Sequence, residues 1–168
     1  MQPPTGQPPA GKRWHTREDS GIRLDAAMRW WHDDEPILHP KIIELFNASL
    51  VLDEAGRYQL RIGNDWCFVQ VEGAAYEVRT VDVTPDERVS VRLSDRTAEA
   101  LDPSSLHLDA EGVLSCRVKQ GRARARFSRD AQYQLGQLLE DGEGGGLVLC
   151  AGQRRVAVPV ALEALASS

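Results

Sequence analysis

The stretch IRLDA at residues 22–26 recurs as LHLDA at residues 106–110. After each copy, the sequence predicts the same order of elements: strand, strand, helix, strand, strand. A repeated order of this kind favours an internal duplication. The sequence therefore predicts an α+β fold of two related β-rich halves with antiparallel sheets, a first half at residues 21–94 and a second half at residues 95–161.

Two amphipathic patterns predict the helices. The first begins at His39-Pro40, because proline suits the first helical turn, and should end before Gly56. The second is capped by Ser128 and should end at Gly142. Their apolar faces comprise Ile42, Ile43, Phe46 and Leu50 in the first and Ala131, Leu135, Leu138 and Leu139 in the second. Alternating residues predict strands at 22–24, 28–31, 58–62, 66–71, 76–83, 89–93, 113–118, 122–127, 147–150 and 156–160.

Both chain ends read as tails. Residues 1–20 are rich in proline and polar side chains and bury too little apolar surface to order themselves, which predicts a disordered tail. Trp14 is the exception, since an aromatic residue in a polar tail often docks on a folded surface. Residues 162–168 form a short second tail.

Composition limits the class of protein. Hydrophobic residues make up 42% of the chain and charged residues 27%, an ordinary globular mixture. The net charge of −5 argues against binding to a nucleic-acid polymer. No apolar stretch is long enough for a membrane span or a signal peptide, so we expect a cytoplasmic protein with no membrane partner. The three cysteines form no close pair, which predicts reduced thiols and neither a metal knuckle nor a cofactor.

Scattered motifs carry a family resemblance. They are MRWWHDDEPI at 28–37, then Phe46, Leu50, Gly56-Arg57-Tyr58, Leu60 and Val71-Glu72, and in the second half Val118, Gly121, Ala125, Arg129, Tyr133 and Leu135. Over about residues 21–160, the chain resembles the bacterial family catalogued as domain of unknown function 1285. The resemblance implies a duplicated α+β core, a second half similar to pleckstrin-homology folds, and a nucleotide-like ligand at the interface in signal transduction. Met28 stands where that family usually has glycine, and residues 63–66 replace a segment that normally carries proline, glutamate and lysine.

The segment 117–129 concentrates positive charge in an acidic protein. It contains no acidic residue and carries Arg117, Lys119, Arg122, Arg124, Arg126 and Arg129. In a strand, alternate arginines project from one face about 7 Å apart, where guanidinium groups bind phosphate or carboxylate. The alternative is a solvated face whose arginines pair with Asp and Glu neighbours.

Aromatic residues are candidate walls for such a site. Trp66, His32 and Tyr133 could stack against a purine ring, whereas core packing is the alternative for the tryptophans. His32 lies beside Asp33, Asp34 and Glu35, but its spacing to His39 is not a recurrent metal-ligand pattern. The sequence therefore predicts no metal site.

The sequence contains no recognisable catalytic motif. Gly144–Gly146 leave a helix and enter a strand, the wrong direction for a phosphate loop, and no nucleophile elbow occurs. These observations favour a non-enzymatic protein that binds a small anionic ligand, such as a nucleotide, between its halves. Arg124, Arg126 and Arg129 would bind the anion, with Tyr133, Trp66 and His32 as walls. The alternative is a protein-interaction scaffold or homo-oligomer with no small ligand.

Overall fold

The computed structural model describes residues 15–161. The predictions for Trp14, for the rest of residues 1–14 and for residues 162–168 lie outside the described residues. Residues 15–20, which the sequence assigned to the tail, lie along the first half: the Phe68 amide donates to the Arg17 carbonyl at 2.7 Å, and Ser20 is buried. Among residues 15–161, no helix is both long and apolar enough to cross a membrane.

The first half contains one helix among short strands. In chain order, its elements are β1 (Ile22–Leu24), β2 (Trp30–His32), β3 (Glu35–Pro36), α1 (Pro40–Ser49), β4 (Leu50–Leu52), β5 (Tyr58–Ile62), β6 (Asp65–Phe68), β7 (Gln70–Val71), β8 (Tyr76–Val83) and β9 (Val89–Leu93). Helix α1 begins at the predicted proline, after His39, whose side chain accepts a hydrogen bond from the Lys41 amide. Leu50 was predicted on the helix face, but it is buried in β4 because this stretch pairs with β5.

The second half contains a hairpin, a helix and a three-stranded meander. Its elements are β10 (Ala98–Ala100), β11 (His107–Leu108), β12 (Leu114–Val118), β13 (Ala123–Phe127), α2 (Arg129–Gly136), β14 (Leu139–Asp141), β15 (Gly146–Ala151) and β16 (Arg154–Ala161). Ser128 caps α2 as predicted, and its side chain accepts from the Ala131 amide. The predicted end at Gly142 is wrong: the helix ends at Gly136, because Leu139 and its neighbours pair with β15.

A six-stranded sheet joins residues of both predicted halves. Its order is β10-β9-β8-β13-β12-β11. Most neighbours are antiparallel, as predicted, but β13 pairs in parallel with β8 and β1 pairs in parallel with β7. The sheets, predicted to be antiparallel, are therefore mixed at these two pairs, because each joins strands separated by a long crossover instead of a hairpin turn. The boundary placed at 94/95 therefore runs between strands of one sheet.

The core is continuous across the molecule and includes Leu24, Trp30, Tyr76, Phe127 and Leu135. Trp30 is 1% exposed, which confirms the core-packing alternative for this tryptophan. Its indole N–H donates to the Asn47 side chain at 2.8 Å, so it ties β2 to α1.

Three hairpin turns share one pattern led by an aspartate. In each, the aspartate amide donates to the carbonyl four residues later, and its carboxylate accepts from the amide of that same residue. The turns are Asp25–Arg29, Asp53–Arg57 and Asp109–Val113. The fourth position has a positive φ, taken by Gly56, by Gly112 and, at 66°, by Met28. Because Asp53 lies outside the IRLDA and LHLDA stretches, the repeated letters mark a turn type that the fold also uses elsewhere.

Candidate functional site

Arg124 and Arg126 of β13, with Arg122 directly before the strand, project from one face of the six-stranded sheet. Arg122 and Arg124 are exposed and Arg126 is half-buried, whereas the intervening Ala123, Ala125 and Phe127 are buried. The alternation predicted for this strand is therefore confirmed. Arg117 of β12 lies directly across from Arg124. We call Arg117, Arg122, Arg124 and Arg126 the arginine face.

The arginine face lacks ion pairs within the described part of the chain. Among residues 15–161, no carboxylate lies within 4.0 Å of the guanidinium nitrogens of these four arginines or of Arg129. Lys119 differs, since its ammonium lies 2.6 Å from a carboxylate oxygen of Asp95. Lys119 is thus paired with an acidic neighbour, and Glu77 of β8 lies across from Arg126 but forms no ion pair with it within 4.0 Å.

Two arginines of this face reach from the second half to the first. Arg122 donates to the carbonyl of Asp53, and Arg126 donates to the carbonyl of Ala26 at 3.0 Å. Both carbonyls belong to the aspartate-led turns. Arg124 instead donates to the Ser115 hydroxyl at 3.2 Å. All of these acceptors are neutral, so the contacts orient the guanidinium groups without cancelling their charge.

Like charges face each other across β12 and β13. Arg117 and Arg124 occupy paired positions, an arrangement that destabilises a sheet unless a counter-charge lies nearby. The phenol of Tyr58 lies in the same field: burial raises its pKa above the ordinary 10.0, and the positive charges of Arg117 and Arg122 oppose that rise. The positive charge of Arg117 and Arg122 therefore acts on Tyr58 in the first half.

A cavity of about 450 Å³ opens beside the arginine face. Its lining includes Arg126, Arg129 and Tyr133, three of the six predicted site residues, and the remaining lining residues are Glu111, Gly112, Val113, Phe127 and Gln132. The Tyr133 side chain is 69% exposed, so its ring is open to a ligand. The side-chain amide of Gln132 fixes one wall of the cavity. Its oxygen accepts from the Leu114 backbone amide at 3.0 Å, and its nitrogen donates to the Gly112 carbonyl at 2.9 Å.

The other three predicted residues lie outside the lining of this cavity. Arg124 neighbours Arg126 on the same strand face. Trp66 lies on β6, where its ring meets Phe68 edge-on at 5.3 Å. His32, at the end of β2, has its ring centroid 4.6 Å from that of His15. The sequence pattern located Arg124 and Trp66 on strands and His32 directly after one, but it held no signal for which strands meet.

His15 is a chemically relevant residue that the sequence analysis missed. It lies in the segment assigned to the tail, and its imidazole Nε2 lies 3.0 Å from a carboxylate oxygen of Asp33. The only signal for it was its histidine side chain, since the segment around it carries no apolar period.

Cys116, by contrast, belongs to the core. It is 1% exposed, and burial raises the pKa of its thiol to about 12. The thiol is therefore protonated at neutral pH, as expected for a buried cysteine of the core.

Comparison with known proteins identifies the fold. No family profile matches the sequence, and no curated protein matches it significantly. A solved DUF1285 family protein from Silicibacter pomeroyi is similar at a TM-score of 0.61 and 19% identity, over 87% of this chain and 82% of that chain. The chain has the DUF1285 fold. A second DUF1285 family protein, from Shewanella baltica, matches at a TM-score of 0.51 and 19% identity, over 70% of this chain and 91% of that one. The resemblance read from the sequence is thus confirmed for the fold.

Proposed function

We propose that this protein is a non-enzymatic binding protein that recognises a small anionic ligand, of the nucleotide class, beside the arginine face. The observation that carries the proposal is the set of five arginines with no carboxylate within 4.0 Å of their guanidinium nitrogens among residues 15–161, in a chain of net charge −5. Guanidinium groups in this state bind phosphate through paired, charge-assisted hydrogen bonds.

The cavity beside the face suits one phosphorylated ligand. At about 450 Å³ it falls within the ordinary range for small-molecule sites. Arg126 and Arg129 provide the positive charge, and the exposed ring of Tyr133 provides a flat surface against which a base can stack. One carboxylate, that of Glu111, also borders the cavity, where it can accept hydrogen bonds from a sugar or base.

A signalling role follows from the contact between Arg126 and Ala26. A phosphate that recruits the Arg126 guanidinium competes with the Ala26 carbonyl in the first half. Ligand occupancy and the contact between the halves are therefore coupled, and the coupling is the physical basis for passing a signal to a protein partner.

Thermal-shift measurements test the anion site. We expect a mono-, di- or cyclic nucleotide, or inorganic phosphate, at about a hundred times its Kd to add about 2.7 kcal/mol and raise Tm by about 5 to 10 °C. Arg129→Ala and Arg124→Ala should each reduce or abolish the shift. The Arg124 side chain donates within the second half, to Ser115, and Arg124 meets the first half through its backbone carbonyl, which Arg124→Ala keeps, so the folded state should tolerate both changes.

Arg92→Ala is the matched control. Arg92 is an exposed arginine of β9 in the same sheet, so its removal changes the net charge equally without touching the cavity. Its ligand-induced shift should equal that of the natural protein. Equal losses in all three variants would mean that only overall charge matters, and the absence of any shift in the natural protein would contradict the proposal.

A protein-interaction scaffold is the second candidate, favoured by one observation. Leu38, two residues before α1, and Ile42 and Leu45 on α1 are apolar residues that are 78%, 40% and 45% exposed, and their spacing forms an apolar stripe. A second copy of the chain is the simplest partner for such a stripe. Light scattering at micromolar concentration should then report a dimer that Leu45→Asp converts to a monomer, whereas a monomeric natural protein would count against self-association.

A further inference from the structure

Two histidines and one aspartate converge at the end of β2. The Nε2 atom of His15 lies 3.1 and 3.0 Å from the two carboxylate oxygens of Asp33, and the Nε2 atom of His32 lies 4.0 Å from the nearer of them. One ligand atom from each of the three residues lies within 4.8 Å of the other two. Together these side chains form the His-His-Asp cluster.

The backbone around the cluster explains why the three side chains meet. Asp33 adopts a φ of 53°, a left-handed conformation that aspartate tolerates better than most residues, and its amide donates to the Gly21 carbonyl at 2.7 Å. The Ser20 hydroxyl donates to the Phe68 carbonyl at 2.6 Å, which holds the segment carrying His15 against the fold. Two independent anchors therefore bring His15 to Asp33.

We propose that His15, His32 and Asp33 form a binding site for a divalent transition-metal ion of the zinc class. Imidazole nitrogens and a carboxylate are the ligands that zinc, cobalt and nickel ions accept, whereas magnesium and calcium require oxygen ligands. With bonds of about 2.0 to 2.2 Å, two ligands of a tetrahedral zinc ion lie about 3.4 Å apart. One carboxylate oxygen of Asp33 lies 3.0 Å from Nε2 of His15 and 4.0 Å from Nε2 of His32, on either side of this value. Small side-chain rotations therefore bring all three ligand atoms to one ion.

The surroundings of the cluster favour a cation and leave room for a further ligand. Asp33 also lines a cleft of about 650 Å³, whose other carboxylates belong to Glu18, Asp19 and Asp34. These four carboxylates outnumber the one guanidinium group of the lining, that of Arg23, and an excess of negative charge raises the local concentration of cations. The side chains of His15, His32 and Asp33 are 27%, 51% and 36% exposed, so an ion can enter from solvent. Three protein ligands leave the remaining coordination position to water or to a molecule in the cleft.

An ion at this position would fasten residues 15–20 to the hairpin of β1 and β2. The site shares no residue with the arginine face or its cavity, so the two proposals stand independently. Loss of metal binding would leave the response to nucleotides or phosphate intact, and the converse also holds.

Titration of the full chain with Zn²⁺ tests the proposal. We expect isothermal titration calorimetry to show one ion per chain, and NMR to show that the imidazole signals of His15 and His32 move while those of His39 and His107 do not. His15→Ala, His32→Ala and Asp33→Asn should each weaken binding about tenfold or more. Asparagine also tolerates the left-handed backbone of Asp33, so this variant keeps the local conformation.

His39→Ala is the control, because it removes an exposed imidazole outside the cluster and should leave the affinity unchanged. Circular dichroism verifies that each variant is folded, and the NMR signals of the natural protein decide the question if one variant is not. Unmoved His15 and His32 signals at saturating Zn²⁺, or equal affinity in the three variants, would mean that the ion binds elsewhere, as at a cysteine, and would overturn the proposal. Failure to bind Zn²⁺ saturably would overturn it as well.

Discussion

Replacing Trp30 with alanine should lower the free energy of unfolding by about 4 kcal/mol. The side chain is 1% exposed and belongs to the largest fully buried side chains of the described chain. Its ring meets Phe46 edge-on at 5.4 Å, and its N–H binds the Asn47 side chain. The substitution would therefore leave a large cavity between β2 and α1 and an unpaired amide oxygen on Asn47.

Urea unfolding followed by circular dichroism measures this loss. Trp66→Ala is the matched control, since Trp66 is a half-buried tryptophan on β6 whose ring partner is Phe68. We expect it to cost about 1 kcal/mol, because less apolar surface returns to water. Similar losses for the two variants would contradict the assignment of Trp30 to the core.

Replacing Asp25 with alanine should cost about 3 kcal/mol, because a buried acceptor of four hydrogen bonds is lost. Its carboxylate accepts from the amides of Ala27 and Arg29, from Nε of Arg29 and from the indole N–H of Trp31, each at 2.9 Å. Asp109→Ala is the matched control: Asp109 leads the same type of turn, but it is exposed and its carboxylate accepts only backbone amides. This control should lose about 1 kcal/mol.

The Asp25 network also predicts how stability depends on pH. Burial alone would raise the pKa of Asp25, but hydrogen bonds from Arg29, Trp31 and Ala27 outweigh it and hold the pKa below its ordinary 3.8. Because the pKa is depressed, the carboxylate stabilises the fold fully at a pH above 3.8. This contribution is lost as the pH falls through the folded-state pKa. In urea unfolding at neutral pH and in strong acid, Asp25→Asn should lose less stability on acidification than the natural protein. An identical loss would show that other carboxylates control acid unfolding.

Local periodicity was sufficient to predict where helices begin and which strand faces are buried. Ser128 caps α2 and the arginines of β13 alternate with buried residues, because both features depend on neighbours in sequence. Helix ends were harder. Leu50 and Leu139 continue an apolar helical stripe equally well as residues of paired strands, and the strand pairing decides the outcome.

The candidate site was predictable only where it is local. Arg126, Arg129 and Tyr133 share a cavity because a capped turn at Ser128 links a strand directly to a helix. The positions of Trp66, His32 and His15 depend on which sheets meet and on how residues 15–20 dock, and no short-range pattern encodes either. The parallel pairing of β8 with β13 escaped prediction for the same reason.

That pairing has a consequence for synthesis of the chain on the ribosome. Strand β8 leaves the exit tunnel about 50 residues before β13, its parallel neighbour, so at about 5 to 20 residues per second the gap is several seconds. During this interval the edge of β8 in the β8–β9 hairpin has no partner strand. The valines of β8 that are buried in the folded protein are then exposed. A slow stretch of translation after residue 93 would prolong that exposure, so the nascent protein should depend on chaperones most when the message pauses between the two strands.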